Sequence, residues 1–144
     1  MRTVSDVEIL LVEDSAADVE LTLRALKKNN LANRVHVARD GEEALAFLFG
    51  NGEGVKAPLP RVVLLDLKLP KVSGIEVLER IKSDERTRLI PVVVLTSSRE
   101  EPDIKRCYEL GVNSYIVKPV DFASFVPAVT QAGLYWLLLN QPPG

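Results

Sequence analysis

Side chains able to do chemistry stand directly after four of the short apolar runs in this chain. In chain order they are Glu13 with Asp14, then Asp66, Thr96 and Lys118. Three carboxylates brought into one place repel each other, which raises at least one pKa unless a cation is present. Mg²⁺ relieves that repulsion, because it prefers oxygen ligands and commonly sits between carboxylates and a phosphate. If the fold gathers these residues, their types favour a magnesium site.

Asp66 is also the best candidate for a nucleophile, because a carboxylate can attack phosphorus and become an aspartyl phosphate. Phosphoryl transfer depends on in-line approach and on neutralising the equatorial oxygens, with little acid–base chemistry. Mg²⁺ and the Lys118 ammonium supply positive charge, and the Thr96 hydroxyl can donate a hydrogen bond to a third oxygen. These residue types suffice for phosphorylation of Asp66.

The expected metal ligands are carboxylates and one backbone carbonyl. Asp14 and Asp66 are the best direct ligands, and Glu13 binds directly or through water. A carbonyl just past the acceptor, such as that of Lys68, supplies another oxygen. Taken singly, Glu13 and Asp14 are better explained as caps of the following helix. Only their convergence with Asp66 favours a metal site.

The elements that must position these residues alternate along the chain. Short, β-branched apolar runs predict buried strands at 7–12, 34–38, 62–65, 92–95 and 114–117. Amphipathic stretches predict helices at 17–29, 42–49, from Ser73 onward, 100–110 and 121–139. This alternation indicates an α/β fold with a parallel sheet covered on both faces. With the strand order 2-1-3-4-5, the first and third strands are neighbours and their carboxyl ends meet.

Composition argues against several classes of protein. The chain has 144 residues, enough for one domain, and 18 Lys and Arg against 20 Asp and Glu give a net charge of −2, which speaks against nucleic-acid binding. A single Cys and a single His make a disulfide framework or a Cys/His zinc cluster unsuitable. No signal peptide is recognisable and the longest apolar run, 134–139, is too short to span a membrane, so a cytoplasmic location is expected.

Four segments carry the chemically competent residues: LLVEDSAAD, LLDLKLPKVSGIEVLERIK, VVVLTSS and YIVKPVD. In this order and spacing they resemble the receiver domain of two-component response regulators. The resemblance implies a flavodoxin-like (βα)5 doubly wound fold, phosphorylation of Asp66 by a sensor histidine kinase, and Mg²⁺ held by Asp14, Asp66 and a main-chain oxygen. It also implies that Thr96 and Lys118 are the switch hydroxyl and lysine, and that Tyr115 swings inward when the threonine moves.

Two further segments of the chain make the resemblance to receiver domains more specific. The long loop before the third strand and the ending LYWLLLNQPP are similar to stand-alone regulators paired with bacterial phytochromes. The implied organisation is a single receiver domain, 1–144, with its core at about 7–139 and no output domain. Apolar residues near the C-terminus exceed what one helix can bury, which predicts a homodimer. The expected interface residues are Phe122, Phe125, Tyr135, Trp136 and Leu138.

Other functions compete with the signalling switch. Asp66 also suits a small-molecule phosphatase or phosphotransferase, but Lys68 stands where that chemistry wants a second carboxylate. A flavin-binding module suits the fold, although three carboxylates would repel a flavin phosphate. A pseudo-receiver scaffold is disfavoured because every acceptor-site residue is present. Of the remaining residues, Cys107 is expected to be an inert helix thiol, and a solvated basic face is expected from Lys68, Lys71, Arg80, Lys82, Arg86 and Arg88.

Overall fold

The computed structural model describes residues 8–28, 34–50 and 59–118. Five strands alternate with four helices along these segments. The strands are β1 (Ile9–Val12), β2 (Val35–Ala38), β3 (Val62–Leu65), β4 (Val92–Thr96) and β5 (Ser114–Val117). The helices are α1 (Ala16–Lys28), α2 (Gly41–Phe49), α3 (Gly74–Ser83) and α4 (Glu101–Glu109). The predicted alternation is confirmed for these nine elements.

The predicted last helix at 121–139 lies outside the described residues, and so does the C-terminal segment that suggested a dimer. The interface residues expected there were Phe122, Phe125, Tyr135, Trp136 and Leu138. The homodimer therefore stays a prediction. Of the helices in the described segments, none is both long enough and apolar enough to cross a membrane.

The five strands form one parallel sheet in the order β2-β1-β3-β4-β5, as predicted. Ile9 lies opposite Val62, and Val12 lies opposite Leu65, in the β1–β3 pair. The residues that follow these two strands therefore emerge at the same edge of the sheet. The backbone N–H of Asp66 donates to the carbonyl oxygen of Val12 at 3.0 Å, which extends the register past the end of β3.

Both faces of the central strands are buried, which is why their sequences are continuously apolar. All four residues of β1 and all four of β3 are buried. In β1, Leu10 and Val12 belong to the core packed by α2, α3 and α4, whereas Ile9 and Leu11 belong to the core packed by α1. Each fully buried side chain of this size stabilises the fold by about 1.5–3 kcal/mol relative to an exposed one.

Side-chain caps fix where two of the helices begin. Asp40 accepts a hydrogen bond from the N–H of Glu43 at 2.8 Å at the start of α2. Ser73 accepts one from the N–H of Glu76 at 3.3 Å at the start of α3. The chain leaves α4 through Gly111, whose φ of 93° is a left-handed conformation that favours glycine. Asp40, Ser73 and Gly111 therefore mark helix ends with residue types that favour those positions.

The start of α3 lies in close contact with the segment after β3. The N–H of Gly74 donates to the carbonyl oxygen of Leu67 at 2.9 Å. A Cβ atom at position 74 would lie 2.2 Å from the carbonyl oxygen of Asp66 and 2.4 Å from the Cα of Leu67. Only glycine permits this approach. The first turn of α3 therefore packs directly on the backbone of Asp66 and holds it in place.

The expected solvated basic face is only partly observed. Lys82 is half-buried, and its Nζ donates to the carbonyl oxygens of Arg88 at 3.2 Å and Ile90 at 3.1 Å. Arg86 donates to the carbonyl oxygen of Leu48. The prediction is wrong for Lys82 and Arg86, because carbonyl groups at the ends of nearby elements need donors that these long side chains supply. The members that are exposed are Lys68, Lys71, Arg80 and Arg88.

Candidate functional site

Three carboxylates meet where β1 and β3 end. Glu13, Asp14 and Asp66, called the acidic cluster below, offer oxygens that all lie within 4.8 Å of one another. Parallel pairing of β1 with β3 produces this convergence, because each carboxylate follows its strand directly. Glu13 and Asp66 are only 3% and 6% exposed, whereas Asp14 is exposed. The cluster therefore has a buried floor and one side open to solvent.

The ammonium of Lys118 lies against this cluster. Its Nζ donates to Glu13 at 2.5 Å, to Asp18 at 2.8 Å and to Asp66 at 3.3 Å. Lys118 directly follows β5, at the same edge of the sheet. The structure thus brings Lys118 together with the acidic cluster, and its three N–H donors are matched by three carboxylates.

Two residues of the site, Glu13 and Lys118, have pKa values that differ from their ordinary ones. Burial raises the pKa of Glu13 to about 7, although hydrogen bonds from Lys118 and from the N–H of Ser15 act in the opposite direction. Burial alone would lower the pKa of Lys118, but its hydrogen bonds to Asp18 and Glu13 outweigh burial and raise that pKa above its ordinary value. The sequence prediction attributed such a rise to repulsion between carboxylates, whereas burial is its main cause at Glu13 and the charge of Asp66 contributes less.

Asp66 is held through both of its carboxylate oxygens. Oδ1 accepts a hydrogen bond from the backbone N–H of Lys68 at 3.1 Å, and Oδ2 faces the Lys118 ammonium. The side chain of Lys68 is exposed. The backbone of Lys68 therefore contacts Asp66 through its N–H, while the metal ligation predicted for its carbonyl oxygen stays a prediction.

Thr96 ends β4, beside β3, and its side chain is fully buried. Its Oγ1 accepts a hydrogen bond from the N–H of Ser98 at 3.3 Å. The hydroxyl of Tyr115 donates to the carbonyl oxygen of Ser98 at 3.0 Å, and the ring is half-buried. Thr96 and Tyr115 are therefore linked through one residue. The inward swing predicted for Tyr115 compares two states and stays a prediction.

Ser98 also connects the end of β4 to α4. Its Oγ donates to Asp103 Oδ2 at 2.6 Å and accepts the N–H of Glu100 at 3.4 Å. Glu100 occupies the N-cap position of α4 but makes no capping bond with its own side chain. The hydroxyl that organises the first turn of α4 therefore belongs to a residue two positions beyond Thr96. In the sequence, Ser98 is one of two serines that directly follow Thr96.

Sequence reasoning missed Asp18 as a site residue. In the sequence, Ser15 and Asp18 have the spacing of a capping box, in which the Asp18 side chain would bond back to the N–H of Ser15. Only half of that box forms, because the N–H of Asp18 donates to Ser15 Oγ at 3.3 Å while the Asp18 carboxylate bonds Lys118. The Ser15 N–H donates to Glu13 instead, at 3.2 Å. The available signal was spacing: Asp18 lies one helical turn after Asp14, on the side of α1 that faces the strand ends.

The acidic cluster fits a hard divalent cation. Its donors are carboxylate oxygens alone, which suit Mg²⁺, Mn²⁺ or Ca²⁺ better than Zn²⁺. The buried carboxylates of Glu13 and Asp66 share the Lys118 ammonium as a cationic partner, so a bound divalent cation would add positive charge beside them. Exposed Asp14 leaves a path by which a hydrated ion reaches the cluster. Divalent-metal binding is therefore consistent with the chemistry of this site.

Known proteins are similar in sequence to this chain over most of their length. The family model of the response regulator receiver domain matches residues 9–130. "Probable methanogenesis regulatory protein FilR2" of Methanothrix harundinacea is 48% identical over 136 residues, covering 94% of this chain and 87% of that protein. Response regulator Rcp1 of Synechocystis is 43% identical over 129 residues, covering 90% of this chain and 88% of that protein.

Solved structures agree with these sequence relatives. The bacteriophytochrome response regulator RtBRR has a TM-score of 0.81 and 52% identity, covering 96% of this chain and 84% of that chain. The Mn²⁺-bound form of Rcp1 has a TM-score of 0.77 and 42% identity, covering 94% of this chain and 98% of that chain. From its matching family, its flavodoxin-like strand order and its acidic cluster, this chain belongs to the response regulator receiver domain family of two-component signalling.

Proposed function

We propose that Asp66 is the phosphoryl acceptor of this receiver and that a sensor histidine kinase is the donor. The observation that carries the proposal is the convergence of three carboxylates and one ammonium at a single edge of the sheet. Asp66 is the member that contacts both the backbone N–H of Lys68 and the Lys118 ammonium. It is also packed from behind by Gly74, which fixes its backbone.

The proposed reaction transfers a phosphoryl group from a phosphohistidine. A carboxylate oxygen of Asp66 attacks the phosphorus, an O–P bond forms, and the N–P bond breaks with its electron pair left on the imidazole. Lys118 is placed to donate to one phosphoryl oxygen, because its Nζ lies 3.3 Å from Asp66 Oδ2. Thr96 supplies a hydroxyl to another oxygen once it turns toward the acceptor. Attraction of Thr96 and Lys118 to the phosphoryl oxygens biases the domain toward its active conformation.

Mg²⁺ is the proposed metal, held by Asp14, Asp66, the carbonyl oxygen of Lys68, and Glu13 directly or through water. When bound, it supplies positive charge against the phosphoryl oxygens. The all-oxygen donor set supports a hard cation. The Mn²⁺-bound form of Rcp1 shows that a relative of 42% identity takes a divalent ion. Magnesium rather than manganese is proposed because Mg²⁺ commonly joins carboxylates to phosphates.

The proposed organisation is a stand-alone switch, a single receiver domain that signals by protein contact or phosphorelay and has no small-molecule substrate. The donor proposed is a phytochrome-type kinase, because RtBRR is a bacteriophytochrome response regulator. A cytoplasmic location is proposed with it. A homodimer through the helix predicted at 121–139 is also proposed, from the surplus of apolar residues at 134–139. Sedimentation at tens of micromolar tests the dimer, and a pure monomer contradicts it.

Intact-mass measurement after incubation with acetyl phosphate tests the acceptor. Wild type and Asp66→Asn are compared, each with and without Mg²⁺. A single phosphoryl adduct that requires both Mg²⁺ and Asp66 is the expected result. No adduct on the wild type would favour a receiver-shaped scaffold that signals without phosphorylation. An adduct that persists in Asp66→Asn would place the acceptor elsewhere.

A further inference from the structure

We propose that Asp18 competes with the phosphoryl group for the Lys118 ammonium and so weakens the phosphorylated state. The inference rests on the acceptor role proposed above for Asp66. Asp18 lies in the first turn of α1, and its carboxylate reaches Lys118 across 100 positions of sequence. A capping role does not require this contact, because the capping bond at this position is made by the backbone N–H of Asp18.

The Lys118 ammonium lies closer to two other carboxylates than to the acceptor. Its Nζ is 2.5 Å from Glu13 and 2.8 Å from Asp18, against 3.3 Å from Asp66. An ammonium has three N–H donors, and three carboxylates take them here. A phosphoryl oxygen on Asp66 therefore gains a donor from Lys118 only when one of these bonds lengthens or breaks.

Asp18 differs from the other two partners in its relation to the metal. Glu13 and Asp66 belong to the acidic cluster, so a bound divalent cation draws on their negative charge. Asp18 is not a member of that cluster. After metal loading, Asp18 is the contact in the described network that still holds Lys118 with its full charge. Its carboxylate also repels an incoming phosphoryl group, which carries negative charge of its own.

Two other roles for Asp18 predict different results. If Asp18 only orients Lys118 toward the acceptor, its loss weakens binding of a phosphoryl group. If Asp18 only stabilises the start of α1 through the helix dipole, its loss lowers the unfolding temperature and leaves anion affinity unchanged. Competition predicts the opposite sign from orientation, so the direction of one affinity change separates them.

Beryllofluoride, a mimic of the phosphoryl group, is the probe for this test. Its affinity is measured by calorimetry in saturating Mg²⁺ for wild type and for Asp18→Asn, which keeps the side-chain shape and removes the charge. The expected gain in affinity is about two- to fivefold, the range for a charge pair that is partly open to solvent. Asp18→Glu, which keeps the charge, should bind beryllofluoride like wild type.

Mg²⁺ affinity, measured without beryllofluoride, gives a second readout. Asp18→Asn should bind Mg²⁺ equally or slightly less well, because a carboxylate near the cluster has been removed. Glu20→Gln is the matched control, since Glu20 lies on the same helix, is exposed and pairs with Arg24 at 2.7 Å. It removes the same charge and should leave both affinities unchanged. If Glu20→Gln gains as much beryllofluoride affinity as Asp18→Asn, the gain comes from the change in net charge alone, and the proposal is overturned.

Unchanged or weaker beryllofluoride binding in Asp18→Asn overturns the inference, provided that the variant unfolds at a temperature close to wild type. If that variant proves unstable, Asp18→Ser with the same two affinity measurements takes its place, because serine also caps or begins helices well. A wild type that binds no beryllofluoride in Mg²⁺ overturns the acceptor site and this inference with it. A wild type that forms the acetyl-phosphate adduct while Asp18→Asn shows no gain overturns the inference alone.

Discussion

Two half-buried ammonium groups lie toward opposite edges of the sheet and are held in different ways. Lys118, where the strands end, bonds three carboxylates, and those bonds outweigh burial and raise its pKa. Lys82, near the point where β4 begins, bonds the carbonyl oxygens of Arg88 and Ile90. Burial lowers the pKa of Lys82, because these neutral partners compensate less of the lost hydration.

The two ammonium groups differ in whether their hydrogen-bond partners can bind another group instead. The carbonyl oxygens around Lys82 belong to the turn between α3 and β4, so exchanging them requires the turn to unfold. In the proposed switch, Glu13 and Asp66 turn to a metal ion, and the Lys118 ammonium turns to a phosphoryl oxygen. We therefore expect Lys82 to make a permanent structural contact where β4 begins. Lys118 should make a contact that can be exchanged for another where the strands end.

Lys118→Gln removes the ammonium at the edge where the strands end, and it should have the largest effect on the free energy of unfolding. It leaves Glu13 and Asp66 buried without their cation, which costs about 2 kcal/mol, below the value of about 3–5 kcal/mol for a fully buried pair because the cluster is open at Asp14. Mg²⁺ should restore much of this loss, since it supplies the missing charge. Urea unfolding with and without Mg²⁺ measures both effects. Lys27→Gln, an exposed position, is the control, and a loss that ignores Mg²⁺ contradicts the prediction.

Thr87→Val should lower the free energy of unfolding by about 1–2 kcal/mol, because it acts on the turn between α3 and β4. Thr87 is fully buried, and its Oγ1 donates to the carbonyl oxygen of Ile81 at 2.7 Å. Valine keeps the shape and leaves that carbonyl without this donor. Ser83→Ala is the matched control, because Ser83 donates to the carbonyl of Arg80 at an exposed position. Urea unfolding should show a loss for Thr87→Val alone, and beryllofluoride affinity should not change in either variant.

Lys82→Met should cost about 1 kcal/mol, a net hydrogen-bond value, because the lost bonds are partly offset by relief from burying a charge. Unlike the loss in Lys118→Gln, this loss should be the same with and without Mg²⁺. The same urea titrations measure it. A Mg²⁺-dependent loss in Lys82→Met would contradict the distinction between the two edges.

The smallest expected effect concerns Cys107, whose thiol should react slowly with a thiol reagent at pH 8 in the folded protein. Its side chain is fully buried, and burial raises its pKa to about 11. The folded state therefore keeps the proton more tightly than the unfolded chain, so this contribution to stability is present below pH 9 and is lost as pH rises toward 11. Ellman's reagent follows the single thiol, and urea should accelerate it. Rapid labelling of the folded protein at pH 8 would contradict the prediction.

Much of the fold was predictable because its signals are local. Short apolar runs rich in β-branched residues, such as 62–65 and 92–95, favour buried strands, and Asp40, Ser73 and Gly111 mark helix ends by their residue types. The convergence at the acidic cluster followed from strand order, because parallel strands end at the same edge. The family motifs supported the same assignment.

The contacts of long side chains were not predictable in the same way. The partner of Asp18 lies 100 positions away, and a local cap offered an equally good use for its carboxylate. Lys82 and Arg86 were assigned to solvent because their charge favours water, whereas unpaired carbonyl groups formed by the fold determine where they lie. The role of Ser98 depends on the turn between β4 and α4, which residue spacing does not specify.

The three helices after β2 are secured differently at their starts. α2 and α3 begin at their own capping residues, Asp40 and Ser73, while α4 depends on the hydroxyl of Ser98. The bond from the Glu100 N–H to that hydroxyl is 3.4 Å long, against 2.8 Å for the capped amide of α2, so amide exchange at Glu100 should be faster than at that amide. Because Ser98 also donates its N–H to Thr96, amide protection at Glu100 should change when Thr96 and Ser98 move.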